Sequence, residues 1–85
     1  MRVLIPSPLH SYTHGRDAQA NGSTLGEVLH DLDRRYPGIR FRMIDEQDRI
    51  RPHVRVFVNG EQEFALERTL RESDVVQVVQ ALSGG

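Results

Sequence analysis

Between Leu25 and Tyr36 the apolar residues Leu25, Val28, Leu29, Leu32 and Tyr36 recur three and four positions apart, with Glu27, Asp31, Asp33 and Arg34 between them. This spacing predicts an α-helix with one apolar stripe and hence one buried side. Ser23 or Thr24 can cap its start, and Glu27 stands where a carboxylate reaches back to the cap's own N–H. Pro37-Gly38 stops it, because proline clashes with a preceding helical turn and glycine accepts left-handed backbone angles. Further along, the period changes to two. Val54, Val56 and Val58 alternate with Arg55 and Phe57, and Asn59-Gly60 supplies the positive-φ pair that a tight hairpin needs. Glu61 to Phe64 is therefore expected to pair back as a short strand. Asp74 to Gln80 is apolar on much of both faces, as suits a central strand.

The remaining segments are less regular. Arg2-Val3-Leu4-Ile5 reads as a strand closed by Pro6 and Pro8. From Leu9 to Asn21, Tyr12 and Thr13 favour extended structure, His14-Gly15 and Asn21-Gly22 offer turns, and Asp17 to Ala20 suits an edge strand. Ile39, Met43 and Ile44 suit a helical turn, Asp45 to Arg51 is expected to be a mobile charged loop, and Leu66 to Leu70 a turn. One amphipathic helix and one mixed sheet of four to five strands give an α+β fold with the helix packed across a single face. If Val54, Val56 and Val58 face that helix, strand alternation sends Phe57 to the open face, with Val75 and Val79 on the outward side of the last strand. Residues 1–82 form the domain. Ser83-Gly84-Gly85 offers no apolar side chain and is expected to project as a flexible tail.

A chain of 85 residues has room for one hydrophobic core, and a hydrophobic fraction of 38% with 27% charged residues suits a soluble folded domain. The formal charge of -1 supplies no field for nucleic acid. No apolar stretch is long enough to span a membrane, and the first residues lack a signal peptide's apolar core, so a cytoplasmic protein is expected. With no cysteine, intrinsic disulfides, thiolate metal sites and persulfides are excluded. All 11 Lys+Arg residues are arginine, so the chain cannot form lysine-linked polymers of itself. His10 and His14 have no cysteine or close carboxylate to complete a metal site, and Asp45-Glu46-Gln47-Asp48 lacks the glycine and spacing of a calcium loop. No nucleophile, base and orienting group can be assembled, so no catalytic residue and no bound cofactor are expected.

Tyr12-Thr13-His14-Gly15, Thr24-Leu25-Gly26-Glu27-Val28-Leu29, Arg35-Tyr36-Pro37-Gly38, Val56-Phe57-Val58-Asn59-Gly60, Leu70, Asp74, Val76, Val78 and Gly84-Gly85 stand in one order along nearly the whole chain. Together they resemble the β-grasp, ubiquitin-like sulfur carriers of the ThiS and MoaD type, closest in look to the cysteine-synthesis and molybdopterin-type carriers. The chain departs from that pattern at Glu72-Ser73-Asp74, where the family often has a glycine in the turn, at Gln80, where many members have a proline, and at Ser83 in place of the common alanine. The resemblance implies that a ubiquitin-activating-like adenylyltransferase and sulfurtransferase uses ATP to form an acyl-adenylate on Gly85. It also implies conversion to a thiocarboxylate and transfer of the sulfur to a downstream biosynthetic enzyme. The chain would then be a co-substrate of other enzymes. Gly84 and Gly85 suit the step because residues without Cβ atoms can thread a narrow channel. Phe57 and Val79, with Leu82 and Ser83 toward the tail, are the expected partner-binding residues. Two other readings share the ending: a protein modifier joined through Gly85 to lysines elsewhere, and an interaction domain whose Gly-Gly is incidental.

Overall fold

The alternating valines form the centre of a five-stranded sheet. In the computed structural model, which describes residues 1–81, the strands are β1 (Arg2–Leu4), β2 (Asp17–Gln19), β3 (Val54–Val58), β4 (Glu61–Glu63) and β5 (Val75–Gln80). Their spatial order is β2-β1-β5-β3-β4. β5 runs parallel to β1 and antiparallel to β3, while β2 and β4 pair antiparallel on the outer sides of β1 and β3. The expected edge strand at 17–20 and hairpin strand at 61–64 each form one residue shorter, and the last strand begins at Val75, leaving Asp74 to close the turn before it. The tail expected at 83–85, and Leu82 before it, lie outside the described residues.

The main helix, α2 (Leu25–Arg35), lies across one sheet face. Leu25, Val28, Leu29 and Leu32 are fully buried with Val3, Val56, Val58, Val76 and Val78. Burying one such aliphatic side chain stabilises a fold by roughly 1.5–3 kcal/mol. The start of α2 leaves no orphan donors: Leu25 N–H donates to Arg68 O (2.9 Å), Gly26 N–H to Leu66 O (2.8 Å) and Glu27 N–H to Thr24 Oγ1 (3.2 Å). Glu27 does reach back, but its Oε1 accepts from Ser23 N–H (2.8 Å), one residue before the cap. Segment 66–70, read as a plain turn, is thus the acceptor surface for the helix N-terminus, and a Thr24–Thr69 bridge fastens it there.

One expectation is overturned. Tyr12 and Thr13 are not extended but lie in a helical turn, α1 (His10–Thr13), that continues a 3₁₀ turn at Ser7–Leu9. Pro8 lies in the first turn of that segment with its φ already helical, and Leu9 anchors it in the core. His14 ends it with φ 62°, a conformation that lets its N–H donate to His10 O at 2.7 Å. The intrinsic preference of Tyr and Thr is weaker than these tertiary constraints. The charged loop expected at 45–51 is present, closed by a hydrogen-bonded turn. Asp45 Oδ1 accepts from the N–H groups of Gln47 (2.9 Å) and Arg49 (3.0 Å), and Ile44 bridges Ile50 behind them. The expected helical turn before it is present as α3 (Ile39–Met43), whose start is held by Asp33 Oδ1 accepting from Gly38 and Arg40 N–H. Asp33, one of the polar positions between the apolar ones of α2, is therefore the tie between α2 and α3. A five-stranded mixed sheet with one long helix across it is the β-grasp architecture.

Candidate partner-binding site

β5 is the central strand, and it ends at Gln80. Ala81 N–H still donates to His53 O at 2.8 Å, so the backbone stays fastened one residue past the strand. The pleat then decides which side chains surround that end. Val76 and Val78 face the helix and are buried; Val75, Gln77 and Val79 face the open side. On β3, Phe57 stands directly opposite Gln77 and Arg55 directly opposite Val79. Phe57 and Val79 are therefore diagonal neighbours on one face, a separation that an aromatic ring bridges. Val79 is 36% exposed and Phe57 is half-buried. Both residues thus lie on the open face, as strand alternation predicts. Leu4 joins them from β1, because it too is in register with Gln77. It is half-buried on the open face, and its parity relative to the buried Val3 was the available signal.

At the far end of β5 a polar clip fixes the strand's start. Asn59, at φ 50° in the hairpin turn, donates from Nδ2 to Asp74 Oδ1 (2.9 Å) and accepts at Oδ1 from Val75 N–H (2.9 Å). The other Asp74 oxygen accepts from Arg71 N–H at 2.7 Å. That bond first, and the Asn59 amide second, hold the Asp74 carboxyl below the usual carboxylate range. The Glu72-Ser73-Asp74 turn thus forms without glycine because an aspartate side chain satisfies the backbone instead. Asn59-Gly60 serves the hairpin and β5 together.

Elsewhere the charges are structural. Asp31 is lowered to about 2, chiefly by its hydrogen bond from Arg34, then by Asn21 N–H, and Arg35 also pairs with it. Among the described residues no group of three or more His, Cys, Asp and Glu side chains is placed to hold a metal ion, and no helix is long and apolar enough to cross a membrane. A concavity of about 750 Å³ opens beside the β3–β4 hairpin, between His30, Ile50 and Phe64. Gly84, Gly85, Leu82 and Ser83 lie outside the described residues, so the structure places Phe57 and Val79 alone of the six residues read as functional.

The sheet order, the single long helix and a last strand leading out at the C-terminus define a ubiquitin-like β-grasp protein. The chain belongs to the ThiS family, whose model matches residues 3–85. It is similar to the sulfur carrier protein CysO of Mycobacterium tuberculosis, 34% identical over 89 residues, covering 98% of this chain and 96% of that one. CysO of Amycolatopsis orientalis, solved in a complex with BexX, superposes with a TM-score of 0.89 at 30% identity, covering 99% of this chain and 98% of that one. Small archaeal modifier protein 3 of Haloferax volcanii is 33% identical over 66 residues, 74% of this chain and 71% of that one.

Proposed function

We propose that this chain is a cytoplasmic sulfur carrier that works through Gly85 as its C-terminal residue. A terminal carboxylate, with a reference pKa of about 3.3–3.7, is ionised at neutral pH and resists nucleophiles, so it must be activated from outside. In the proposed sequence the Gly85 carboxylate attacks the α-phosphorus of ATP and expels pyrophosphate. The terminal sulfur of a persulfide then displaces AMP from the acyl-adenylate. A thiol cleaves the resulting acyl disulfide, becoming a disulfide itself and leaving the thiocarboxylate. A biosynthetic enzyme takes the sulfur onward. The chain is the substrate of these steps, and ATP is bound by the activating partner. Phe57 and Val79 are proposed to receive that partner, with Leu82 and Ser83 leading to its channel.

The observation that carries this reading is the extent of the family match, which runs through residue 85 and so includes the Gly84-Gly85 pair. The likeness to CysO over almost the whole chain supports it. The test is the intact mass of the purified chain after incubation with ATP, its adenylating enzyme and a persulfide donor. Replacement of one oxygen by sulfur is expected. An unchanged mass, with no ATP–pyrophosphate exchange, overturns the proposal. The likeness to small archaeal modifier protein 3 favours a second reading, conjugation through Gly85 to other proteins. Gly-Gly remnants on lysines of other proteins, without a thiocarboxylate intermediate, would establish that one instead.

A further inference from the structure

A cluster of arginines lies where β5 ends. Arg2, Arg34, Arg35, Arg40 and Arg68 are each ion-paired. Among the described residues Arg16, Arg42, Arg49, Arg51, Arg55 and Arg71 are not, and three of these six, Arg42, Arg51 and Arg55, lie around the end of β5. Phe41, Arg42, Arg51, His53 and Gln80 line one depression beside the last residue of that strand, with no carboxylate among them. Arg55 stands directly opposite Val79. Two of these cations are pre-positioned. Arg51 Nε donates to Phe41 O at 2.7 Å with its guanidinium 4.6 Å from the centroid of the Phe41 ring, and Arg55 donates to Pro52 O at 2.6 Å. The Phe41 ring is itself 58% exposed. The whole chain carries a formal charge of only -1, so the cluster is a local one, and Arg51 and Arg55 also border the neighbouring concavity that Asp48, Glu63 and Glu67 line. At the opposite end of β5 the charges are mixed, with Arg71 beside Glu72 and Asp74.

We infer that this arginine collar docks an acidic surface bordering the channel of the enzyme that activates the tail, a step that rests on the sulfur-carrier reading above. Charge complementarity and continuity with the Phe57–Val79 face argue for that occupant. Reach excludes a direct role at the nucleotide. From Ala81 to Gly85 an extended chain spans at most roughly 13–14 Å, so the collar stops at the rim while Gly85 is inside. Rim charges steer association and leave the chemical step unaltered, and such steering weakens steeply with salt.

The test is ATP–pyrophosphate exchange by the adenylating enzyme with the intact chain, read as kcat and kcat/KM at about 50 mM and about 500 mM salt, above and below which screening differs several-fold in range. Arg42→Glu, whose side chain makes no hydrogen bond among the described residues, and the Arg42→Glu/Arg55→Glu pair are compared with Arg71→Glu at the far end of β5. Expected are an unchanged kcat, a loss of about tenfold in kcat/KM for the pair at low salt, and closure of that gap at high salt. Arg71→Glu is expected to match the wild type. Independently of any variant, the wild-type kcat/KM is expected to fall as salt rises. The collar is overturned if the pair stays within about twofold of Arg71→Glu, or if the wild-type rate ignores salt. Absence of exchange with the wild type overturns the sulfur-carrier reading, and the collar with it.

Discussion

Asn59 holds the hairpin turn and the start of β5 at once, and replacing it separates two costs. Asn59→Gly keeps a residue at ease with φ 50° but deletes the bonds from Nδ2 to Asp74 and from Val75 N–H to Oδ1. At about 0.5–1.5 kcal/mol net for each bond, the loss is about 1–3 kcal/mol. Asn59→Ala deletes the same bonds and forces a β-carbon into the left-handed region, adding about 1 kcal/mol. The backbone bond from Asn59 N–H to Val75 O survives in both variants. With roughly 0.05–0.15 kcal/mol of stability per residue, a domain of this size has only about 4–13 kcal/mol in total, so either change moves the urea midpoint measurably. Far-UV circular dichroism during urea unfolding is the assay, with the slope m unchanged so that midpoints report stability. The reasoning is refuted if Asn59→Gly stays within about 0.3 kcal/mol of the wild type, or if Asn59→Ala proves the more stable of the two.

Phe57→Ala is expected to lower kcat/KM for adenylation by about tenfold or more, as for an interface hot spot, with the thermal midpoint measured alongside to separate binding from folding. An unchanged rate would remove Phe57 from the interface. Acid should destabilise the fold in a defined window. The folded-state pKa values of Asp31, Asp45, Glu63 and Asp74 are all lowered, so the stability they contribute is complete above the ordinary carboxylate pKa. It is lost as pH falls toward the folded values, about 2 for Asp31. Thermal midpoints are therefore expected to be level above about pH 5 and to drop below about pH 4, and Asp31→Asn should flatten that acid limb.

The segments that proved legible in the sequence are those where a single periodicity dominates. Leu25 to Leu32 has no competing pattern, and Val54 to Gly60 joins strict alternation to a turn of fixed chemistry. Tyr12 and Thr13 misled because a local preference was read without Pro8 and Leu9, whose tertiary anchoring decides the segment. Asp45 to Arg51 is the loop expected, but its internal order was not legible. Its charge suggested solvation, whereas Asp45 is a turn former whose carboxylate accepts backbone N–H groups, a role that composition hides. At the candidate site, alternation sufficed for Phe57 and Val79 because each lies on a strand. The arginine collar was invisible, since Arg42, Arg51 and Arg55 come from α3, the segment after it and β3, and converge only once β3 is paired with β5.

The position of β5 has a mechanical consequence. A partner that draws the tail into a channel pulls along the axis of a strand paired on both flanks, parallel to β1 and antiparallel to β3. Tension in that direction loads the two ladders in shear, so their bonds must give way together. An edge strand such as β4 would instead be peeled one bond at a time. On the proposed function, the residues that follow β5 are thus tethered to the part of the sheet best able to bear force, and pulling on them would not unravel the domain.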